Sequence, residues 1–203
     1  RIGNVQQAQT YAASIDSLVD VTADLHAKYT YYNQKGNEAK VLGQYGIAEQ
    51  WYLRGKDLAE RPDISTVSAN RHLSYTNLCN LYAAMGQYDD AILYAKKAIE
   101  EFQAHTPKTD AAYNLPYMTL ANIYRFLGDK ENCYRSLDKL FETASRITEA
   151  KELSPVYITR GMCHYAFKDY QSALNDYQKA DELLAAKYPQ TDGGRITLLA
   201  LIG

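Results

Sequence analysis

Residues 77–99 read NLCNLYAAMGQYDDAILYAKKAI. On both sides of Met85–Tyr88, apolar and small residues recur every three or four positions, which is typical of amphipathic helices. Gly86 can adopt a positive φ without steric cost, so it is well suited to end the first helix. Asp89 and Asp90 follow, where negative charge suits the positive end of the second helix dipole. The stretch therefore predicts two helices joined by a short turn.

Small residues recur at equivalent places along the whole chain. In the first helix of each predicted pair they are Gly36, Cys79, Ala121, Gly161 and Gly203, and in the second helix Ala48, Ala91, Cys133 and Ala173. Both series have spacings of 40 to 43 residues. Because the closest helix crossings need small side chains, the agreement of the two series predicts stacked helix pairs in a constant register.

These helix pairs resemble the tetratricopeptide repeat (TPR), a helix–turn–helix unit of usually about 34 residues. The resemblance is carried by the small residues and by the turn sequences Gly43-Gln44-Tyr45, Gly86-Gln87-Tyr88, Gly128-Asp129 and Lys168-Asp169-Tyr170. The longer spacing is similar to that of TPR arrays in bacterial sensory and regulatory proteins. The resemblance implies an all-α fold, a right-handed α-solenoid (superhelix) of antiparallel helix pairs.

The register divides residues 1–203 into units of a single solenoid. We expect the second helix of a partial repeat, four complete repeats and the start of a truncated fifth repeat: 4–20, 22–62, 63–107, 108–150, 151–189 and 190–203. Since the chain begins and ends inside a repeat, we expect it to be part of a longer solenoid.

Two prolines bear on where helices begin. A helix starting at Asp110 would hold Pro116 beyond its first turn, so we expect a late start or a kink there. Ser154 and Pro155 have the pattern of a helix cap followed by proline at the first helical position. The sequence therefore predicts that the first helix of the fourth repeat begins at Pro155.

Composition restricts the class of partner. The formal net charge of −2 argues against nucleic-acid binding, which needs a basic face to neutralise phosphates. The longest late apolar run, 196–202, is far shorter than the roughly 20 residues of a membrane helix, so no membrane insertion is expected. The compartment stays open between periplasm and cytoplasm.

Cys79, Cys133 and Cys163 form no CxxC pair, and we expect them to pack as small hydrophobic residues.

No stretch of the sequence has the pattern of a catalytic site. A GxSxG elbow, a glycine-rich phosphate loop and an HExxH motif are all lacking. His164 occupies the position of Tyr82 and Tyr124, which favours core packing over metal binding. We therefore expect no enzyme activity, no cofactor and no metal.

The abundant tyrosines are expected to fill gaps between helices, with a ligand-stacking surface as the alternative.

In TPR proteins the first helices line a concave groove, and the resemblance implies which side chains lie there. The positions carried over are Asn33, Asn37, Asn77, Asn80, Met118, Asn122, Arg125, Phe126, Ile158, Met162 and Tyr165. Asn37, Asn80 and Asn122 occupy the same place on three successive first helices, so they are expected to form a ladder of amides. The ladder has two interpretations: it binds the backbone of an extended peptide, or it bonds the neighbouring repeat.

One class of TPR protein clamps the C-terminal carboxylate of chaperones with two asparagines and several basic groups. Asn37 and Asn77 match those asparagines, whereas the basic positions hold Asn33, Leu115 and Thr119. A carboxylate needs a cationic partner for tight binding, so the resemblance does not extend to chaperone recognition.

The resulting hypothesis is a protein- or peptide-binding module that uses its concave groove. Resemblance to bacterial arrays implies the sensory or interaction part of a larger regulatory protein. The alternative is a structural scaffold that self-associates into a homo-oligomer through its end or convex faces.

Overall fold

The computed structural model describes residues 19, 22–61, 71–105, 114–144, 150–185 and 189. In these ranges the chain forms eight α-helices and no strand. The helices are α1 (Leu25–Val41), α2 (Tyr45–Ala59), α3 (Arg71–Ala84), α4 (Tyr88–His105), α5 (Asn114–Leu127), α6 (Lys130–Ala144), α7 (Ala150–Ala166) and α8 (Tyr170–Ala185). The helix expected at 4–20, apart from Val19, and the one expected at 190–203 lie outside the described residues.

Consecutive helices form four pairs, α1/α2, α3/α4, α5/α6 and α7/α8, and the most extensive helix contacts are within these pairs. The second helix of each pair also packs against the first helix of the next pair. The result is an all-α solenoid. Each pair lies inside one of the four complete repeats expected from the sequence, except that α7 begins one residue before its repeat, at Ala150.

The turns inside the four pairs share one backbone geometry. In the first turn the Gly43 N–H donates to Lys40 O at 3.0 Å, and the Gln44 N–H donates to Ala39 O at 2.9 Å. This is the Schellman pattern, which satisfies the last carbonyls of a helix and needs a residue with positive φ. That residue is Gly43, Gly86 or Gly128 in the first three pairs and Lys168, with φ 66°, in the fourth.

The small residues lie where the register predicts. The second-helix series, Ala48, Ala91, Cys133 and Ala173, is completely or almost completely buried. The described members of the first-helix series, Gly36, Cys79, Ala121 and Gly161, are buried as well. Tyrosine rings fill space beside them, as Tyr52 and Tyr82 do in the core around Ala48 and Ala91.

The two prolines behave differently. Pro116 is the third residue of α5 as described, so it falls in the first turn, where a backbone N–H has no intrahelical acceptor. Pro155 is the sixth residue of α7, and the prediction that the helix begins there is wrong.

The reason for the earlier start of α7 is tertiary packing. A proline inside a helix costs about 3 kcal/mol through its missing N–H and its ring. Leu153 and Val156 pack into the core shared with the preceding repeat, and this burial offsets the cost. Ser154 is not a cap in the structure, because it lies inside α7 with its hydroxyl buried and without a hydrogen bond to the described residues.

Candidate functional site

The first helices of the four pairs lie side by side. Contacts join α1 to α3, α3 to α5 and α5 to α7, whereas no two successive second helices among the eight pack as extensively. The array therefore curves towards its first helices. We call the surface formed by α1, α3, α5 and α7 the concave face, and equivalent side chains form rows across it.

A concavity of about 470 Å³ lies between α1 and α3 on the concave face. It brings together three of the predicted site residues, Asn33, Asn37 and Asn77. The complete lining is His26, Tyr29, Thr30, Asn33, Gln34, Asn37, Glu38, Leu73 and Asn77.

Two of these asparagines hold the first and second repeats together. The Asn77 side-chain amide donates to Asn33 Oδ1 at 2.8 Å, and the Asn33 amide donates to Tyr29 O at 2.9 Å. Asn33 is therefore engaged on both sides of its amide. These bonds position the wall of the concavity and leave Asn33 little capacity for a ligand.

Asn37 and Asn80 share a different arrangement. Asn37 Oδ1 accepts from the Tyr52 hydroxyl at 2.7 Å, and Asn80 Oδ1 accepts from Thr119 Oγ1 at 2.8 Å. Burial raises the pKa of Tyr52 to about 12, so this phenol remains a donor near neutral pH. Both carbonyl oxygens are thus occupied, which orients the two amides. Asn37 is held more firmly, because the Thr119 hydroxyl can also donate to Leu115 O at 3.0 Å. Neither Nδ2 group has a hydrogen-bond acceptor among the described residues.

Asn122 breaks the pattern of the expected ladder. Its amide donates to Met118 O at 3.1 Å within the same helix, and its Oδ1 accepts from Arg125 Nε and a terminal Arg125 nitrogen at 3.4 Å each. The three recurring asparagines thus make three different sets of bonds, and only Asn37 and Asn80 are alike in offering Nδ2.

The apolar residues predicted for the groove divide into two groups. Met118 packs against the core cluster that extends from the second repeat to the fourth. Ile158 and Met162 pack against α8. Phe126 and Tyr165 are 65% and 61% exposed. The Arg125 guanidinium lies over the Phe126 ring at 4.3 Å, and the Tyr165 ring meets Tyr170 edge-on at 5.3 Å.

Sequence reasoning missed an exposed pair of leucines on the concave face. Leu73 on α3 and Leu115 on α5 are exposed, and Leu73 lines the concavity beside Asn77. They lie one repeat apart in the same register as Cys79 and Ala121, which was the available signal. In the sequence, Leu115 stands out only as a position where a basic residue is lacking.

A group of charged and polar residues fills the boundary between the third and fourth repeats. Arg160 Nε donates to the two carboxylate oxygens of Asp176 at 2.9 and 3.1 Å, and Asp176 is buried. His164 Nδ1 lies 3.0 Å from the Tyr134 hydroxyl and Nε2 lies 3.7 Å from Asp176. A buried carboxylate needs such pairing, so the group is accounted for by packing. Among the described residues, no cluster of three His, Cys, Asp or Glu side chains is arranged to bind a metal.

None of the helices in the described ranges is both long and apolar enough to span a membrane.

Comparison with known protein families finds a match in the middle of the chain. The tetratricopeptide repeat family model matches residues 73–105 and 116–146, which cover the second and third helix pairs except for the first two residues of α3 and of α5. No curated protein sequence matches the chain at a significant level.

Two solved structures are similar in fold. BtubC (BKLC) from P. vanneervenii has a TM-score of 0.67 and 16% identity, with 89% of this chain and 82% of that chain covered. A Rap protein complexed with Competence and Sporulation Factor has a TM-score of 0.74 and 14% identity. That match covers 94% of this chain but only 51% of the Rap chain, so the present chain spans about half of that relative. At such low identity the likeness concerns the fold alone.

Proposed function

Because the chain carries tetratricopeptide repeats, we propose that it is a protein-interaction module that binds an extended peptide segment on its concave face. The observation that carries the proposal is the fixed orientation of Asn37 and Asn80. Tyr52 and Thr119 occupy their carbonyl oxygens, so the Nδ2 groups are presented as donors. Backbone carbonyls of an extended segment are matching acceptors whatever the peptide sequence.

Apolar side chains of the peptide would be held by the exposed apolar residues of the same face. Leu73 lies at the concavity, and Leu115 and Phe126 continue the surface along α5. Binding energy at interfaces is concentrated in a few apolar or aromatic contacts, which these residues can supply. Arg125, stacked on Phe126, adds a positive charge next to that contact.

We further propose that the chain is the sensory or interaction part of a larger bacterial regulatory protein. Support comes from the similarity of fold to Rap, whose structure is a complex with Competence and Sporulation Factor. Because the chain spans about half of Rap, the activity of the whole protein would depend on further segments.

The test separates the donor role of the asparagines from their structural role. Replacing Asn37 and Asn80 by alanine would leave the Tyr52 hydroxyl unpaired, would remove one of the two acceptors of the Thr119 hydroxyl, and would weaken the fold. Asn37→Asp and Asn80→Asp instead keep an acceptor oxygen for those hydroxyls, remove the NH2 donor, and each add one negative charge. Asn175→Asp is the matched control, since Asn175 is an exposed residue of α8 whose Oδ1 accepts from Gln171.

The probes are short peptides selected on the immobilised protein from a random displayed library. We expect the double variant to bind them more than about tenfold less tightly, because two hydrogen bonds are worth about 1–3 kcal/mol together. The Asn175→Asp protein should bind like the unaltered chain. Equal affinity of the double variant and the control would refute the proposed role of the amides.

Self-association remains the second candidate, and exposed apolar residues favour it. Val41 and Leu42 at the end of α1 are 84% and 71% exposed. If they mediate association, light scattering should show a mass above that of one chain, and Leu42→Glu should reduce it. A monomer that is unaffected by Leu42→Glu would leave peptide binding as the better account.

A further inference from the structure

Two cysteines from different repeats meet in the core. Cys133 lies on α6 and Cys163 on α7, and both thiols point at the same carbonyl, Ala121 O, at 3.4 and 3.9 Å. Both are unoxidised and completely buried. Cys79 is equally buried, but it lies on α3 in a separate cluster with Ala95 and Leu120.

We propose that Cys133 and Cys163 form a modification site, at which a peroxide-class oxidant produces a disulfide that joins the third repeat to the fourth. The geometry favours this pair because both sulfur atoms lie within 4 Å of one carbonyl oxygen. A disulfide needs Cβ atoms about 3.8 Å apart, and two side chains that converge on one atom can reach that distance by a local movement.

The reaction balances with one peroxide for each pair of thiols. The Cys133 thiolate attacks one peroxide oxygen, the O–O bond breaks, and the leaving oxygen takes a proton to become water. The sulfur is now a sulfenic acid. The Cys163 sulfur then attacks it, the S–S bond forms, and the departing hydroxide takes the Cys163 proton as a second water. Two electrons have passed from the thiols to the peroxide.

The proximity of the two thiols assigns their roles. Once Cys133 is ionised, the Cys163 S–H can donate to its thiolate, which lowers the pKa of Cys133, and the neighbouring thiolate raises the pKa of Cys163. Cys133 is therefore the thiol that loses its proton more readily and attacks first. For Cys79, by contrast, burial raises the pKa to about 12. Because all three thiols are fully buried, a local opening is required for each, and the comparison with Cys79 controls for access.

The disulfide would change how the repeats are coupled. Neighbouring repeats of a solenoid are held together by packing across their shared boundary. A covalent link between α6 and α7 would close the chain from Cys133 to Cys163 and restrict the unfolded state. The unfolding temperature should therefore rise on oxidation and return when a reducing agent is added.

The experiment treats the folded protein with hydrogen peroxide, blocks remaining thiols, and maps the products by mass spectrometry. The unaltered chain and Cys79→Ala should each lose two hydrogen atoms and yield a linked Cys133–Cys163 peptide. Cys163→Ala should form no link and should retain a sulfenic acid at Cys133 that a dimedone probe labels.

The mapping of the unaltered chain decides the matter even if a variant folds poorly. A link that involves Cys79 would overturn the proposal. So would oxidation of Cys133 to sulfinic or sulfonic acid without a link, or survival of all three thiols under conditions that oxidise a free cysteine completely.

Discussion

The first and fourth repeats close the gap between their two helices differently from the second and third. In the fourth repeat, a Cβ atom added at Gly161 would lie 2.6 Å from Tyr177 Cε1. In the first repeat, a Cβ atom at Gly36 would collide with the Tyr52 ring in the same way. In both, a tyrosine ring from the second helix lies directly on a glycine of the first.

The middle repeats have a smaller side chain on the second helix and a larger one on the first helix at the equivalent positions. Cys79 and Ala95 occupy them in the second repeat, where Leu120 of the next repeat completes the cluster. Ala121 and Leu137 occupy them in the third. In the outer repeats the second helix supplies all of the side-chain volume at this point. In the middle repeats both helices contribute to it, and in the second repeat so does a residue of the next repeat.

Where the two helices of a repeat cross, the total volume of the contacting side chains is kept similar, whereas the residue types differ. Protein interiors are packed to a nearly constant density, so a large side chain on one helix requires a small one opposite. The family model, which describes residue types, matches within the second and third repeats. The first and fourth pairs have the same turn hydrogen bonds and the same helix contacts as the middle pairs. They differ in that the small residue lies on the first helix and the large one, a tyrosine, on the second.

The largest expected effect comes from enlarging the small residue of a glycine–tyrosine pair. Gly161→Ala should lower the free energy of unfolding by about 2–3 kcal/mol, because the new methyl group overlaps the buried Tyr177 ring. Combining it with Tyr177→Leu reproduces the Ala121–Leu137 pair of the third repeat. Urea unfolding should show the double variant to be more stable than the sum of the single changes predicts. Strictly additive effects would mean that the two residues do not compete for space.

A smaller effect should distinguish the two glycine–tyrosine repeats from each other. The Tyr52 hydroxyl donates to Asn37, whereas the Tyr177 hydroxyl makes no hydrogen bond to the described residues. Tyr52→Phe should therefore cost about 1 kcal/mol of stability and Tyr177→Phe close to none. The same urea titrations measure both, and equal losses would contradict the role assigned to the Asn37 bond.

The turns give a still smaller difference, confined to the fourth repeat. Lys168 adopts φ 66° where the other three turns have glycine, and a side chain in this region is strained. Lys168→Gly should raise the free energy of unfolding by about 0.5–1 kcal/mol, since relief of strain exceeds the added entropy of the unfolded chain. Gly128→Lys, the reverse change in the third repeat, should lower it. A destabilised Lys168→Gly protein would argue that the lysine side chain has a stabilising contact.

The smallest effect separates the third and fourth repeats from the first two and appears at acid pH. Hydrogen bonds from the Asn132 side chain and backbone lower the pKa of Asp129, and Ser172 lowers the pKa of Asp169 in the same way. Between the folded and unfolded pKa values the unfolded chain binds more protons. The stabilisation is therefore complete above the unfolded pKa and is lost as pH falls through the folded one.

NMR titration should find the pKa of both carboxyl groups below that of ordinary aspartate. Asp129→Asn should make unfolding less dependent on acid pH, while a change at Gln44, which does not cap α2 with its side chain, should not. Ordinary pKa values for both carboxyl groups would contradict the capping geometry.

Much of the fold was accessible from local patterns. The periodicity predicted a pair of helices within 22–62, and the structure has Leu25–Val41 and Tyr45–Ala59. The turn at Lys168 was predicted despite the missing glycine, because the register fixed its place. The predicted first residue of α7 was wrong because Ser154 and Pro155 report only local propensity. Packing of Leu153 in the core extends the helix to an earlier start.

The candidate site was less accessible because its chemistry depends on side-chain orientation. The recurrence of Asn37, Asn80 and Asn122 was visible in the sequence, but not which amide atom each would leave available. Those orientations are set by residues distant in sequence, such as Thr119, which bonds Asn80 from the next repeat. For the same reason the three cysteines looked alike, although only Cys133 and Cys163 meet.

The central claim, that the concave face binds an extended peptide, is tested most directly by hydrogen exchange. Amide exchange would be measured for the protein alone and with a library-selected peptide at saturation. The account predicts that exchange slows in α1, α3 and α5, with α2, α4 and α6 little changed. Protection concentrated in the second helices, with the first helices unaffected, would contradict it.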